Sequence, residues 1–546
     1  MSYETVRIGR RALFGLAGAV AGVALIGRAE AAPGLPPRLF DDMVLRAQRW
    51  VNATYGNRPK WKPAPEDGRT GTDTVTALVR ALQHEVGMDP SVVNGAFGPA
   101  TLSLVTEKIG QVAAGKPANI IKIAQSGLYC KGYPGDQIGG VWGAETQRSV
   151  SGLRRDMGLT DGRGTLTPNE LRGLLTMDAY QLLPGGVAAV RRAQQWLNQR
   201  YASQPAWFAM GPADGLVTRQ SLARLVSAVQ WELGITSPTG EVGPATLAGL
   251  RKRTPITVGD ADAGGAPFVQ LLHAALIFNR NEAPWSSTFS AASAAQVRKF
   301  QTFVGLLPAN GAGDGYTWAS LLIANGDPSR PANAADCSTP LTPARAATLR
   351  AAGATVVGRY LTNVGNFNKK LQPGELATVF AAGLRVFPIY QTSADTASYF
   401  TAAQGRADVQ AAIAAARGYG FRNDTIIYFA VDYDAYPADI ASGVLPYFTA
   451  LKATMDAAGS PYRVGAYGVR NVCIQLEAAG LAVTSFVADI AHGYDGNLGY
   501  PLPSNWAFDQ FATVTLGVDD ARIEFDKNVA SGRDPGQASV EQVAAT

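Results

Sequence analysis

Histidine, cysteine and charge are scarce in this chain. Of 546 residues, three are His, three are Cys and 17% are charged. His84, His273 and His492 are too few and too scattered for the nitrogen-rich ligand sets of zinc peptidases. Cys130, Cys337 and Cys473 cannot build a disulfide scaffold. Their odd number leaves at least one thiol, and a Cys337–Cys473 bridge stays open. No glycine-rich phosphate cradle occurs, which excludes nucleotide chemistry. The 48 basic residues balance 43 acids to a net charge of +5, without the clustering of a nucleic-acid footprint. Long apolar runs are also missing. The longest ends at Ile26 and is about 15 residues, short of the ~20 that span a bilayer. No metal and no cofactor is expected.

That run belongs to the N-terminus. Arg10-Arg11 precedes it, and Ala29-Glu30-Ala31 offers small residues at a cleavage position. This is the pattern of a signal peptide over residues 1–31. The arginine pair and Arg28 make it resemble a twin-arginine export signal. The expectation is a secreted, extracytoplasmic monomer with no stable membrane insertion after cleavage. Its length exceeds one hydrophobic core, so several domains are expected.

Residues 44–176 and 189–323 read as two copies of one helical unit. Ala47-Gln48-Arg49-Trp50-Val51-Asn52 returns as Ala193-Gln194-Gln195-Trp196-Leu197-Asn198, and Gly98-Pro99-Ala100-Thr101-Leu102 as Gly243-Pro244-Ala245-Thr246-Leu247. Apolar residues at spacings of three and four (Val75, Leu78, Val79, Leu82) mark amphipathic helices. Gly-rich turns stop each helix, and Thr101, Thr146 and Thr246 are expected to cap the next. Residues 324–335 lack periodicity and read as a linker. Residues 531–546 read as a disordered tail.

From 336 to 530, short β-branched and aromatic runs alternate with Ala-rich helical stretches. This is the signature of parallel βα units, and eight runs are enough for a (β/α)8 TIM-like barrel. Asp336, Asp432, Asp434, Asp489, Asp509 and Asp526 follow or close the runs. In such a barrel they converge on one mouth, and converging carboxylates are the equipment for glycosidic cleavage. Two-residue periodicity places Asp432 and Asp434 side by side on the lumen face.

Two resemblances add to this. Asn94-Gly95-Ala96-Phe97-Gly98-Pro99-Ala100-Thr101 and its counterparts near Gly143 and Gly243 resemble the peptidoglycan-binding domain type 1 motif, which implies attachment to the wall. The barrel region resembles the bacterial glycoside-hydrolase-like domain of unknown function 1906, related to glycoside hydrolase family 25 lysozymes. Gly358 to Leu361, Pro388 to Gln391, Ile427 to Asp434 and Gly465 to Gly468 carry that likeness. It implies a protein that cleaves or binds peptidoglycan or a related glycan. It also implies Asp434 as general acid and Asp432 as its partner, with Asp336 and Asp526 in support. Arg359, Tyr360, Tyr390, Gln391, Asp489, Trp506 and Asp509 would line the substrate site. The lysozymes place Glu where Asp434 stands, and Asp is one methylene shorter.

Overall fold

The computed structural model describes residues 40–262 and 265–541; the expected signal segment 1–31 lies outside them. The chain divides into two compact units between Glu241 and Val242. That division falls inside the second expected helical copy, not at 324–335.

The first unit contains eight helices among its described residues: α1 Asp42–Tyr55, α2 Thr72–Glu85, α3 Pro99–Lys108, α4 Ala118–Cys130, α5 Ala144–Met157, α6 Pro168–Leu174, α7 Ala188–Tyr201 and α8 Arg219–Glu232. Asp41 starts α1 by accepting the N–H groups of Met43 and Val44 at 2.7 and 3.2 Å. The α1 residues Val44, Ala47, Gln48, Val51 and Tyr55 form its buried stripe at helical spacing.

A buried glutamine in that stripe is the recurring device. In α2, Gln83 Nε2 donates to Asn94 Oδ1, Ala96 O and Thr101 Oγ1 at 3.0–3.1 Å, and its Oε1 accepts the Gly95 N–H at 2.9 Å. One amide thus staples the loop and the next helix to α2. Gln48 and Gln194 do the same with Gly68 and Thr74, and with Gly215 and Ser221. The threonines therefore do not cap. Gly98, Gly143 and Gly243 occupy the N-cap positions with no side-chain bond. Gln83 captures the Thr101 hydroxyl instead.

The second unit opens with α9 Pro244–Lys252, α10 Phe268–Phe278, α11 Ala291–Phe303 and α12 Gly315–Leu322. A closed barrel follows: β1 Ala334–Asp336, β2 Val356–Tyr360, β3 Arg385–Tyr390, β4 Ile426–Ala430, β5 Arg463–Gly468, β6 Thr484–Val487, β7 Trp506–Leu516 and β8 Ile523–Ala530. Helices α13 Pro343–Ala351, α14 Glu375–Ala381, α15 Ala402–Gly418, α16 Pro437–Asp439, α17 Leu445–Ala457 and α18 Arg470–Ala478 connect β1 through β6.

The barrel is not the all-parallel (β/α)8 ring expected. Strands β1 to β7 run parallel, but β8 is antiparallel to both β7 and β1. The cause is the connection between Leu516 and Ile523. It holds one short 3₁₀ turn, Asp519–Ala521, too little chain for a parallel crossover. The reversal sets Asp526 directly opposite Asp336 in the β1–β8 register.

Aromatic rings fill the lumen. Phe387 of β3 stacks on Phe508 of β7 at 3.9 Å, and both meet Tyr428 of β4 and Phe486 of β6. Strands this far apart in the ring can touch only across the interior. Two glycines make the room: a Cβ on Gly358 would lie 2.5 Å from the Phe387 ring, and one on Gly465 would lie 2.8 Å from Tyr428.

The expected linker is part of the barrel's packing. Arg330 Nη2 meets Asp509 Oδ2 at 2.5 Å, Arg470 Nη2 donates to Ala324 O at 2.9 Å, and Asp327 pairs with Arg251 of α9. The expected tail is likewise fastened over residues 531–541. Asp534 accepts from Tyr428 at 2.9 Å, and Gln537 exchanges backbone bonds with Val386 at 2.7 and 2.9 Å. Its Asp, Gly and Gln reach donors and acceptors beneath the lumen that sequence pattern does not reveal.

Candidate functional site

The carboxylates meet through amides. Gln510 of β7 gives its Nε2 to Asp336 Oδ1 at 2.8 Å and to Asp526 Oδ2 at 3.0 Å. Its Oε1 accepts the Tyr467 hydroxyl of β5 at 2.9 Å. Asn528 adds a second donor to Asp336 at 3.1 Å, and Thr513 donates to Asp526 at 2.5 Å. Asp336, Asp526, Gln510, Asn528 and Tyr467 therefore form one network above the aromatic floor. Asp336 is wholly buried within it.

Asp432 follows β4, on the opposite side of the ring from β8. Gln391 Nε2 donates to its Oδ2 at 2.8 Å, and the Asp432 N–H bonds Ala394 O at 2.8 Å. Lys369 Nζ in turn donates to Gln391 Oε1 at 3.2 Å and lies 4.7 Å from the Tyr360 ring. A lysine there fixes the orientation of the Gln391 amide, so that its N–H groups and not its oxygen face the carboxylate. Tyr360 and Gln391 lie on the lumen side of their strands with Gly358 and Phe387.

Asp434 is bound to loop backbone. Its two oxygens accept the backbone N–H groups of Asp495 and Gly496 at 2.9 and 3.1 Å. It anchors the loop between β6 and β7. Strand β4 ends at Ala430, so the two-residue period that paired Asp432 with Asp434 no longer applies.

The remaining candidates face away from the lumen. Arg359 is fully buried against α14, with Nε on Glu375 Oε1 at 2.7 Å and Nη1 on Cys337 O. Tyr390 gives its hydroxyl to Asp408 of α15 at 3.1 Å; Tyr399 and Tyr447 bind the same carboxylate. Asp489 is held by Arg470 at 2.6 and 2.8 Å, and Asp509 by Arg330. Burial pushes Asp489 up to about 7 against the pull of Arg470, with neighbouring Asp509 adding to the rise. Trp506 donates Nε1 to Phe303 O of α11 at 3.0 Å. Odd-numbered positions on β2 and β7 point outward, and a β-bulge near Trp506 turns that ring to the outside as well.

Sequence reasoning missed Lys369, Gln510, Asn528 and Tyr467. Parity with Phe508 could have placed Gln510 in the lumen; Lys369 lies in a loop without periodicity. Cys337 and Cys473 are buried thiols with no bridge between them. No group of three or more His, Cys, Asp and Glu side chains arranged to hold a metal occurs among the described residues, and no described helix is long and apolar enough to cross a membrane.

Fold and site together define a multidomain protein with a glycoside-hydrolase-like barrel. The Rv2525c-like, glycoside hydrolase-like domain family matches residues 347–530. The FadG/YbfG, PGDB-like domain family matches residues 40–128 and 183–322. The uncharacterized protein FadG of Bacillus subtilis is 42% identical over 92% of this chain and 87% of its own length. The uncharacterized protein YbfG of the same organism is 38% identical over 92% of this chain and 69% of its length. The chain belongs to the FadG/YbfG family. Among solved structures, the Tat-secreted protein Rv2525c of Mycobacterium tuberculosis, crystallised with HEPES, aligns with a TM-score of 0.31 and 18% identity, covering 38% of this chain and 100% of that one. An uncharacterized B. stearothermophilus protein aligns with a TM-score of 0.28 and 18% identity, covering 37% of this chain and 96% of that one.

Proposed function

We propose that the barrel mouth binds peptidoglycan or a related cell-wall glycan and hydrolyses a glycosidic bond in it. The observation that carries this reading is the convergence of Asp336 and Asp526 on the single amide of Gln510, with Asp432 held by Gln391 after β4, across the ring from β8. Glycoside cleavage needs one carboxyl to donate a proton and negative charge facing the developing oxocarbenium ion. Asp336 and Asp526 act as hydrogen-bond acceptors throughout their network, which suits them to the second role. Asp432, held at Oδ2 by Gln391, is the remaining carboxyl and takes the proton-donor role. The resemblance to family 25 lysozymes supports a bond within the wall glycan. The Arg10-Arg11 segment supports twin-arginine export, and the motifs around Gly98, Gly143 and Gly243 support attachment to the wall through the helices.

A second reading is a glycan-binding barrel without turnover. Asp434 favours it: both its oxygens are bound to loop N–H groups at the position where the lysozymes carry their proton donor. Release of reducing sugar from purified peptidoglycan separates the two. Hydrolysis by wild type, cut at least 100-fold in Asp432→Asn, is the expected result. Sedimentation with peptidoglycan but no sugar release from either protein selects the binding reading.

A further inference from the structure

Most aromatic rings of the barrel are buried or half-buried, and three are exposed. Phe367 is 58% exposed, Tyr436 52% and Tyr494 39%. Each lies on a loop beyond the C-terminal end of a strand: Phe367 after β2, Tyr436 after β4 and Tyr494 after β6. These are alternate strands of the closed ring, so the loops are spread around the mouth and not gathered on one side.

Each ring also lies close, in space or along the chain, to one of the barrel's acids or to a residue that holds one. The Phe367 ring centroid lies 5.9 Å from Lys369 Nζ, the group that orients Gln391. Tyr436 follows Asp434 by two residues. Tyr494 directly precedes Asp495, whose N–H holds Asp434. Burial raises the Tyr494 phenol above its ordinary range, and the charges of Asp432 and Asp434 add to it, so that ring is within electrostatic reach of both acids.

Exposed rings beside hydrogen-bonding acids have the chemistry of a sugar-binding surface. An aromatic face covers the apolar C–H face of a pyranose, and its polar edge stays wet. Carboxylates between such rings accept the hydroxyl and amide N–H groups of the same sugar. A pocket for one or two sugars would use the central acids and leave the outer loops without a role. Rings on three separated loops fit a longer chain laid across the mouth.

We infer that Phe367, Tyr436 and Tyr494 are aromatic subsites flanking the acid pocket, built to hold a linear polymer of N-acetylhexosamines several units long. This rests on the reading of the mouth as a glycan site.

The test is calorimetric titration of the full-length protein with the dimer and hexamer of β-1,4-linked N-acetylglucosamine. Wild type is expected to bind the hexamer at least tenfold more tightly than the dimer. The triple variant Phe367→Ala, Tyr436→Ala, Tyr494→Ala is expected to lose tenfold or more on the hexamer and less than twofold on the dimer. Phe367→Ala alone, on the most exposed ring, is expected to lose part of the hexamer affinity with an unchanged melting temperature. A triple variant that binds the hexamer as wild type does overturns the aromatic subsites and leaves the glycan site standing. A wild type that binds neither oligomer overturns the glycan reading, and the subsites with it.

Discussion

Arg359 shows how a residue's chemistry and its position can point in different directions. An arginine at the end of a barrel strand invites assignment to substrate. Here its guanidinium is buried with Glu375 and the Cys337 carbonyl. Removing one member of a buried pair leaves the other charge uncompensated. Arg359→Met is therefore expected to lower unfolding free energy by about 3–5 kcal/mol, with glycan affinity unchanged in the fraction that remains folded; urea denaturation alongside calorimetry checks both. Asp489 makes a second residue-scale prediction. Burial raises it to about 7, well above its unfolded value, so the folded chain holds this proton more tightly than the unfolded chain does. Its contribution is fully present near pH 4, declines by up to about 1.4 kcal/mol per unit as pH rises, and levels off above pH 7. Asp489→Asn cannot titrate and is expected to flatten that part of the stability profile, measured as melting temperature from pH 4 to pH 8.

At the scale of elements, recognisable strands led to the right neighbours but not always to the right direction. The β-branched runs of β2 to β5 were legible because burial on both faces demands them. The reversal of β8 was not, since it depends on how little chain separates Leu516 from Ile523. The helix-to-loop glutamines were visible only as repeated letters; that each one binds a loop glycine and a hydroxyl is a matter of geometry. The C-terminal segment is the clearest case. Polar and glycine-rich, it reads as disordered, yet Asp534 closes the bottom of the lumen on Tyr428 and Arg385 donates to Gly536 O at 2.8 Å. Deleting residues 532–546 is expected to cost about 2–4 kcal/mol through these lost bonds. Hydrogen exchange should rise first in β3 and β4.

At the scale of the molecule, the helices α9–α12 and the barrel form one body. Trp506 bonds Phe303 of α11, Arg330 neutralises the buried Asp509, and Arg470 holds the Ala324 carbonyl. A fragment of residues 242–546 is therefore expected to melt cooperatively near the temperature of the barrel in the full chain. A fragment beginning at Asp336 strips Arg330 from Asp509 and is expected to be less stable by at least about 3 kcal/mol. Equal stability of the two fragments would show that the helices contribute nothing to the barrel.

The sequence by itself determined what local patterning can encode: helices first, then a run of strands, with Asp336 and Asp432 at their ends and Ile426, Tyr428 and Ala430 on one face of β4. Period and propensity act over a few residues, and within a strand they fixed which side chains face in. Only the tertiary structure decided which acids share a pocket. Asp526 reaches Asp336 because β8 reverses, Asp434 is taken up by the N–H groups of the β6–β7 loop, and Asp489 and Asp509 turn outward to arginines from α18 and the 324–330 segment. A carboxylate's role depends on the donors that surround it. In this barrel those donors come from strands and loops distant in sequence, brought together by closure of the ring.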